Sequence, residues 1–245
     1  MTVREEDSRT AQMLGKEAMM RLQHARVAVF GIGGVGGYAC EALARAGVGR
    51  LDLFDSDVVS LSNINRQIIA LHSTVGRAKV EVMRERIHDI NPDCEVRTHK
   101  VFYLPENADA FPLGDYDYVA DAIDTVSAKL ELAVRATAAG VPIISAMGAG
   151  NKLDATRFEV TDLSKTSGCP LARVMRRELK ARGITHLKVV FSTEPACTPP
   201  TDAPGGVDSS SVRTPPGSLS YVPSVAGLLL AGEIIRDLTG TNSHS

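Results

Sequence analysis

Short apolar segments alternate with longer segments of helical periodicity over the first 150 residues of the chain. Residues 26–30 form an apolar run that leads into a glycine-rich stretch, and the apolar residues that follow recur at the spacing of a helix. Strands that alternate with helices in this way form a parallel sheet with helices on both faces. The predicted strands are 26–30, 51–54, 95–99, 116–120 and 142–147, and the predicted helices are 34–46, 76–90 and 125–139.

The pattern changes after residue 150. Residues 157–163 alternate between apolar and polar, as expected of an antiparallel strand. Residues 193–218 contain six of the twelve prolines and are predicted to form a mobile loop. The remaining predicted elements are a basic helix at 170–182, strands at 187–191 and 218–222, and a final helix at 224–238.

These elements predict the fold class α/β, with a doubly wound, Rossmann-like, mostly parallel sheet and a C-terminal antiparallel extension. We divide the chain into an N-terminal arm and helix at 1–25, a core at 26–150, and an extension of the same domain at 151–245.

Composition narrows the class of protein. Apolar residues make up 44% of the 245, enough for a substantial core. The formal net charge of −2 excludes a globally basic nucleic-acid binder, although it leaves room for a local basic patch. No apolar run reaches the length of a membrane span, and the polar N-terminus does not resemble a signal peptide. The four cysteines form no C-x-x-C pair. We therefore expect a cytoplasmic protein without a membrane partner, a disulfide framework or a zinc site.

A glycine motif stands between the first strand and the first helix of the core. Gly31, Gly33 and Gly36 satisfy G-x-G-x-x-G, with Gly34 in the same loop. Glycines permit a tight turn and close approach of the backbone to a phosphate, which the N–H groups of the helix N-terminus bind. Asp55 follows the second strand, where an acidic residue receives ribose hydroxyls. This much fits NAD as well as ATP.

The next polar cluster favours a triphosphate over a dinucleotide. Asn65, Arg66 and Gln67 form a dense group of hydrogen-bonding side chains, and Lys79 follows at the start of a helix. Two cations near a glycine loop are costly unless they face concentrated negative charge, and phosphoryl chemistry needs such cations to stabilise developing charge. Asp124 ends the fourth strand at the carboxyl edge of the sheet, where it is a candidate ligand for Mg²⁺ across the phosphates.

The ordered set GIGGVG, DSDVVSLSNINRQ, GRAK and DAID resembles the adenylation domain shared by ubiquitin-activating enzymes and the activators of sulfur-carrier proteins. The resemblance covers about residues 26–150 and implies an ATP-binding core that forms acyl-adenylates. It implies that Gly33 and its neighbours hold phosphate and that Asp55 holds the ribose. Asp57 belongs to the same motif, Asn65, Arg66, Gln67 and Lys79 would bind the triphosphate, and Asp124 would hold Mg²⁺.

A second resemblance, to the tRNA threonylcarbamoyladenosine dehydratase group, runs through almost the whole chain. The segments SRTAQMLG, RQIIA, DAID, VTDLSK and FSTE carry it. Sulfur-carrier activators usually have two C-x-x-C pairs for zinc, which are missing here, and the separate cysteine domain of ubiquitin-activating enzymes has no room. The resemblance implies ATP-dependent cyclisation of threonylcarbamoyladenosine in tRNA, with loss of one water and release of AMP and pyrophosphate.

The same resemblance implies a homodimer in which Arg9 reaches the ATP of the neighbouring subunit. On the basic helix, Arg173, Arg177 and Lys180 share one face, with Arg176 nearby. This face would bind tRNA phosphates, and an ordinary solvated helix face explains it equally well. Cys169 and Cys197 flank this region, and we interpret them as bystander thiols rather than as persulfide acceptors or nucleophiles, although the sequence leaves their role open. A bound monovalent cation and a cysteine-desulfurase or sulfur-acceptor partner both stay open.

Three alternatives remain at this point. Within the fold, the chain could activate the C-terminal Gly-Gly of a ubiquitin-like sulfur-carrier protein. A nicotinamide dehydrogenase would fit the glycine loop but not Arg66 and Lys79. A non-catalytic nucleotide-sensing or scaffold protein would keep the fold without the activity, although each position expected to contact ATP holds a competent residue.

Overall fold

A computed structural model describes residues 4–198, 200 and 216–241 of the chain. Across these residues one sheet contains seven strands. They are β1 Arg26–Phe30, β2 Arg50–Phe54, β3 Glu95–His99, β4 Tyr118–Asp121, β5 Ile143–Ala146, β6 Phe158–Asp162 and β7 Lys188–Ser192.

The strand order is β3-β2-β1-β4-β5-β7-β6. Every pairing is parallel except that of β6 with β7, which is antiparallel. The predicted fold class is therefore confirmed, including the antiparallel extension at one edge. The predicted division at residues 25 and 150 stays a prediction.

Helices cover both faces of the sheet. Those described are α1 Ser8–Leu14, α2 Lys16–His24, α3 Gly36–Arg45, α4 Lys79–Ile90, α5 Val126–Ala139, α6 Pro170–Ala181 and α7 Tyr221–Thr239.

Two sets of apolar side chains hold these layers together. On one face, Leu43 of α3, Met83 of α4 and Leu230 of α7 are fully buried in one cluster with the sheet. On the other face, Leu132 of α5 and Met175 of α6 are fully buried in their own clusters. Each such side chain stabilises the fold by about 1.5–3 kcal/mol.

The strand order reverses between β1 and β4. The chain leaves β1 and returns to β2 on one side, while β4 pairs with β1 on the other side. A crevice therefore opens at the carboxyl ends of β1, β2 and β4, and ligands of open α/β sheets bind at this kind of position.

The predicted strand at 218–222 is wrong, because α7 begins at Tyr221. Val222, Ala226 and Leu230 are all buried at helical spacing, and Pro223 lies in the first turn, where a helix tolerates proline. Most of the predicted loop at 193–218 lies outside the described residues. In the described part of the chain, no helix is both long and apolar enough to cross a membrane.

Candidate nucleotide-binding site

The glycine loop between β1 and α3 requires glycine for steric reasons. Gly31 has a φ of +90°, and a Cβ there would lie 2.7 Å from the carbonyl oxygen of Ala122. A Cβ on Gly36 would lie 1.7 Å from the carbonyl oxygen of Gly31. The loop is thus folded tightly on itself and against the segment after β4, which only glycine permits at these two positions. The chain then enters α3, whose first N–H groups have no partner within the helix.

A cavity of about 640 Å³ opens in front of this loop, at the carboxyl ends of β1, β2 and β4. Among its lining residues are nine that the sequence singled out: Gly31, Gly33, Gly34, Asp55, Asp57, Arg66, Gln67, Lys79 and Asp124.

Two further predicted residues lie beside the cavity rather than on its surface. Gly36 is buried beneath the glycine loop, where its role is steric. Asn65 lies next to Arg66, and its Nδ2 donates to the carbonyl oxygen of Ser218 at 3.0 Å. Because Ser218 itself lines the cavity, Asn65 ties the start of the α7 segment to the site.

Asp55 links β2 to the glycine loop. Its Oδ2 accepts from the N–H of Ile32 at 2.7 Å, and its Oδ1 accepts from the N–H of Asp57 at 2.8 Å. Each carboxylate oxygen can accept a second hydrogen bond. The carboxylate is therefore held in place with acceptor capacity left for a ribose hydroxyl.

Lys79 is a nearly buried cation at the wall of the cavity. It is 5% exposed, and its Nζ lies 2.7 Å from Oδ2 of Asp57 and 3.9 Å from Oδ2 of Asp55. The sequence pattern placed Asp57 among the ATP-binding residues without indicating this ion pair. The side chain of Asp57 is 63% exposed.

Arg66 and Gln67 line the cavity next to the glycine loop. The guanidinium of Arg66 donates to the carbonyl oxygen of Ser62 at 3.0 Å and to Oδ1 of Asn65 at 2.9 Å, which orients it. Gln67 is 6% exposed, and within the described structure its Oε1 has no hydrogen-bond partner. A buried amide oxygen is normally paired, so Gln67 has hydrogen-bonding capacity left at the wall of the cavity.

Asp124 follows β4 and is exposed at the edge of the cavity. The hydroxyl of Thr125 lies 3.4 Å from its Oδ1. No group of three His, Cys, Asp or Glu side chains suited to a metal occurs among the described residues. A metal ion held by Asp124 would therefore take its other ligands from a bound molecule or from water.

The chain has relatives over most of its length. The model of the ThiF family matches residues 7–245.

The chain belongs to the ThiF family.

Among curated proteins, it is 46% identical over 237 residues to the tRNA threonylcarbamoyladenosine dehydratase of Bacillus subtilis, covering 94% of this chain and 93% of that protein. It is 42% identical over 201 residues to the Escherichia coli protein of the same name, covering 79% and 75%. Among solved structures, it is similar to the Escherichia coli tRNA N6-threonylcarbamoyladenosine dehydratase in complex with ATP, with a TM-score of 0.86, 36% identity, and coverage of 99% and 97%.

Part of the cavity wall in this ThiF-family chain was not predicted from the sequence. Phe54, Val101, Phe102 and Tyr103 form an apolar and aromatic side next to Asp55. Burial raises the pKa of Tyr103 to about 12, so its hydroxyl stays protonated. The signal that could have found this side is position: these residues end β2 or follow β3, at the carboxyl edge that carries Asp55.

A second unpredicted part of the wall comes from beyond the core motifs. Gly150, Pro216, Ser218 and Pro223 also line the cavity. The site is therefore built partly by the C-terminal segment, whose sequence carries none of the nucleotide motifs.

Arg9 is not among the described residues that line the cavity. It lies on α1 and is exposed.

The basic helix α6 carries its predicted tRNA contacts unevenly. Arg173 and Lys180 are exposed, and Arg177 is exposed while paired with Glu178 at 2.8 Å. Arg176 differs, because it donates to the carbonyl oxygen of Thr166 at 2.9 Å and to its hydroxyl at 2.7 Å. These hydrogen bonds give Arg176 a structural role that the helical spacing did not indicate.

The two cysteines considered above lie outside the described lining of the cavity. Cys169 is 7% exposed, and the Sγ of Cys197 lies 3.2 Å from the carbonyl oxygen of Asn151. Their interpretation as bystander thiols stays a prediction.

Proposed function

We propose that this ThiF-family chain is an enzyme that uses ATP to cyclise threonylcarbamoyladenosine in tRNA. One observation carries the proposal: Arg66, Lys79, Asp55 and Asp124 surround one cavity at the glycine loop. Similarity over almost the whole chain to a dehydratase solved with ATP, and again with AMP at a TM-score of 0.87, supports this choice of nucleotide and reaction.

ATP would lie with its phosphates on the glycine loop and its ribose at Asp55. The free N–H groups at the start of α3 and the helix dipole would hold phosphate oxygens. Lys79 would contact the phosphates from its nearly buried position, exchanging part of its pairing with Asp57 for a phosphate oxygen. The base would occupy the side formed by Phe54, Phe102 and Tyr103.

The residues at the edge of the cavity fit Mg²⁺. This ion binds proteins through one or two carboxylates and takes its remaining ligands from phosphates and water, and the exposed carboxylate of Asp124 suits such a site. When bound, the ion would neutralise charge on the phosphates.

The reaction has two balanced steps. A carboxylate oxygen of the threonyl group attacks the α-phosphorus of ATP, forming an acyl-adenylate and releasing pyrophosphate. Arg66 and Lys79 would stabilise the charge that develops on the phosphoryl oxygens.

In the second step, a carbamoyl nitrogen of the same group attacks the activated carbonyl carbon and loses its proton. The bond to AMP breaks, and a five-membered ring closes. Because both reacting groups belong to one molecule, proximity can contribute about 7–11 kcal/mol, so no enzyme thiol is required.

The assembly we propose is a cytoplasmic homodimer in which Arg9 enters the site of the other subunit. The exposed face of α6 with Arg173, Arg177 and Lys180 would contact tRNA phosphates. A monovalent cation or a sulfur-acceptor partner is not needed for either chemical step.

The proposal is tested by mass analysis of nucleosides from tRNA that carries threonylcarbamoyladenosine, after incubation with the protein, ATP and Mg²⁺. We expect a nucleoside lighter by one water, formed together with AMP and only when ATP is present. Intact substrate from a folded protein that binds ATP would contradict the proposal. Pyrophosphate release that depends on an added Gly-Gly-ended carrier protein would instead support the sulfur-carrier alternative, for which the 36% identity over 172 residues to molybdopterin-synthase adenylyltransferase of Escherichia coli is the observation.

A further inference from the structure

A fully buried ion pair lies directly behind the cavity. Lys129 in the first turn of α5 and Asp121 at the end of β4 are both 0% exposed. Nζ of Lys129 lies 2.9 Å from Oδ2 of Asp121. The hydroxyl of Ser145 on β5 donates to the same oxygen at 2.6 Å. None of these three side chains takes part in the chemistry proposed above.

A buried ion pair of this kind adds little to the stability of a fold. Desolvation of two charges often costs more than their attraction returns, and apolar replacements of similar volume are often neutral or stabilising. The neighbouring Ala128 and Leu132 on α5 show that apolar side chains fit this layer. The pair is therefore better explained by its holding of the neighbouring backbone in place than by a contribution to stability.

The other hydrogen bonds of Lys129 and Asp121 show which part of the backbone they hold. Nζ of Lys129 also donates to the carbonyl oxygen of Ile123 at 3.1 Å. Oδ1 of Asp121 accepts from the N–H of Ile123 at 3.2 Å. The ion pair thus holds both backbone polar groups of the residue that immediately precedes Asp124.

The other side of this segment is held by the glycine loop. The N–H of Ala122 donates to the carbonyl oxygen of Phe30 at 2.8 Å, and a Cβ on Gly31 would lie 2.7 Å from the carbonyl oxygen of Ala122. Residues 122–124 therefore lie between the glycine loop and the ion pair, so the distance from Asp124 to the phosphate-binding loop depends on both.

We propose that Lys129 is a positioning residue that, through Asp121 and Ile123, fixes the carboxylate of Asp124 for the Mg²⁺ that accompanies ATP. The inference rests on the proposed function, because that function gives Asp124 its Mg²⁺. Groups that orient a metal ligand typically contribute 10–100-fold to metal affinity.

The test is the Mg²⁺ dependence of ATP binding, measured by calorimetry on the full chain without tRNA. In Lys129→Met we expect about 10-fold or greater weakening of the Mg²⁺-dependent part of ATP affinity, by analogy with other groups that orient a metal ligand. The affinity for ATP in excess chelator should stay close to that of the wild type. Since Lys129→Met leaves Asp121 without its partner, the double variant Lys129→Met with Asp121→Asn repeats the measurement without an unpaired charge.

Arg26→Met is the matched control. It breaks another ion pair of the same sheet, Arg26 with the buried Asp52 at 2.7 Å, at the opposite end of β1 from the glycine loop. The control should lose thermal stability without changing the Mg²⁺ dependence.

An unchanged Mg²⁺ dependence in both Lys129 variants would overturn the inference, as would an equal loss of affinity with and without Mg²⁺. These outcomes can be told apart from failure of the proposed function, because binding is measured without turnover. If the wild type binds ATP with Mg²⁺ but leaves tRNA unchanged, the dehydratase proposal fails while the role of Lys129 is still decided.

Discussion

At the scale of single residues, two glycines of the same loop differ in what an added methyl group would meet. On Gly36 it would lie 1.7 Å from the carbonyl oxygen of Gly31, whereas on Gly33 the nearest atom would be Nε2 of Gln67 at 3.9 Å. We predict that Gly36→Ala destabilises the protein by about 3 kcal/mol, the upper range for overpacking. Gly33→Ala should keep the wild-type stability and lose ATP affinity, because its methyl occupies the cavity wall.

Denaturant unfolding and ATP titration of both glycine variants check this prediction. Equal stability of the two variants would contradict the close packing of the loop. Wild-type ATP affinity in Gly33→Ala would contradict the assignment of the loop to phosphate.

Asp124 and Arg66 should be essential for chemistry but not for folding. Asp124 is exposed and Arg66 is half-buried, so their side chains contribute little to the core. We predict that Asp124→Ala and Arg66→Ala each lower adenylate formation by about 100-fold or more, the scale for losing one charge-stabilising group, with unchanged melting temperatures. The exposed Glu106 offers a control, and Glu106→Gln should retain full activity. Full activity in either site variant would remove the basis for this ATP site.

The sequence predicts those site residues that belong to a recognisable motif. Gly31, Asp55 and Lys79 each follow a strand or begin a helix, so topology brings them to one crevice. The sequence could not indicate that Asp57 pairs with Lys79 or that Arg176 donates to the backbone carbonyl of Thr166. Those contacts depend on how separate elements pack in three dimensions, and periodicity along the chain carries no information about them.

At the scale of elements, an ion-pair network attaches α7 to the edge of the parallel part of the sheet. Lys188 of β7 lies 2.8 Å from Oε1 of Glu233 and 2.6 Å from Oδ2 of Asp237. Burial would raise the pKa of Glu233, but hydrogen bonds from Lys188 and Arg236 outweigh it and lower that pKa. The network therefore joins α7 to the sheet through two carboxylates on one face of that helix.

The network makes a prediction about acid stability. Since the pKa of Glu233 is lower in the folded chain, its contribution is present above the ordinary pKa of about 4.3 and is lost as pH falls through the folded value. Lys188→Met should therefore lower the free energy of unfolding near neutral pH, and the difference from wild type should shrink in acid below that ordinary pKa. Urea unfolding across this range measures it, and a difference independent of pH would contradict the role of Glu233.

The elements themselves were largely predictable from periodicity. The strands β1 and β3 were predicted with their observed bounds, and several other strands and helices were displaced by one or two residues. The helix 76–90 starts later, at Lys79, because Gly76 has a φ of +87° and Ala78 is extended, and neither conformation belongs to a helix. The failed strand at 218–222 shows the limit: polar and apolar residues alternate just before Pro223, as they do in a strand, but from Val222 onward the buried residues recur at helical spacing. A Cβ on Gly227 of α7 would lie 2.2 Å from the carbonyl oxygen of Val35, so these segments pack closely.

At the scale of the whole molecule, the position of Arg9 makes a prediction about assembly. Arg9 is exposed on α1 and is not among the described lining residues of the cavity, so we expect a catalytic role of Arg9 to act in the site of a second copy. Arg9→Ala and Lys79→Ala homodimers should each be inactive. Mixed dimers contain one site with both native residues, and we expect them to recover up to about half of the activity per dimer containing both variants.

Activity of the mixture is measured after subunit exchange has been verified with two differently tagged variants. An inactive mixture in which exchange has occurred would contradict the action of Arg9 across the interface. Full activity of Arg9→Ala by itself would show that Arg9 is dispensable.

The central claim for the whole molecule is that the threonyl carboxylate attacks the α-phosphorus of ATP. The most direct measurement uses tRNA whose threonylcarbamoyl carboxylate is labelled with oxygen-18, followed by mass analysis of the released nucleotides. We predict one labelled oxygen in AMP, because the attacking oxygen stays on phosphorus when the ring closes. Label in inorganic phosphate, with ADP as the nucleotide product, would contradict attack at the α-phosphorus, because it would place the attack at the γ-phosphorus.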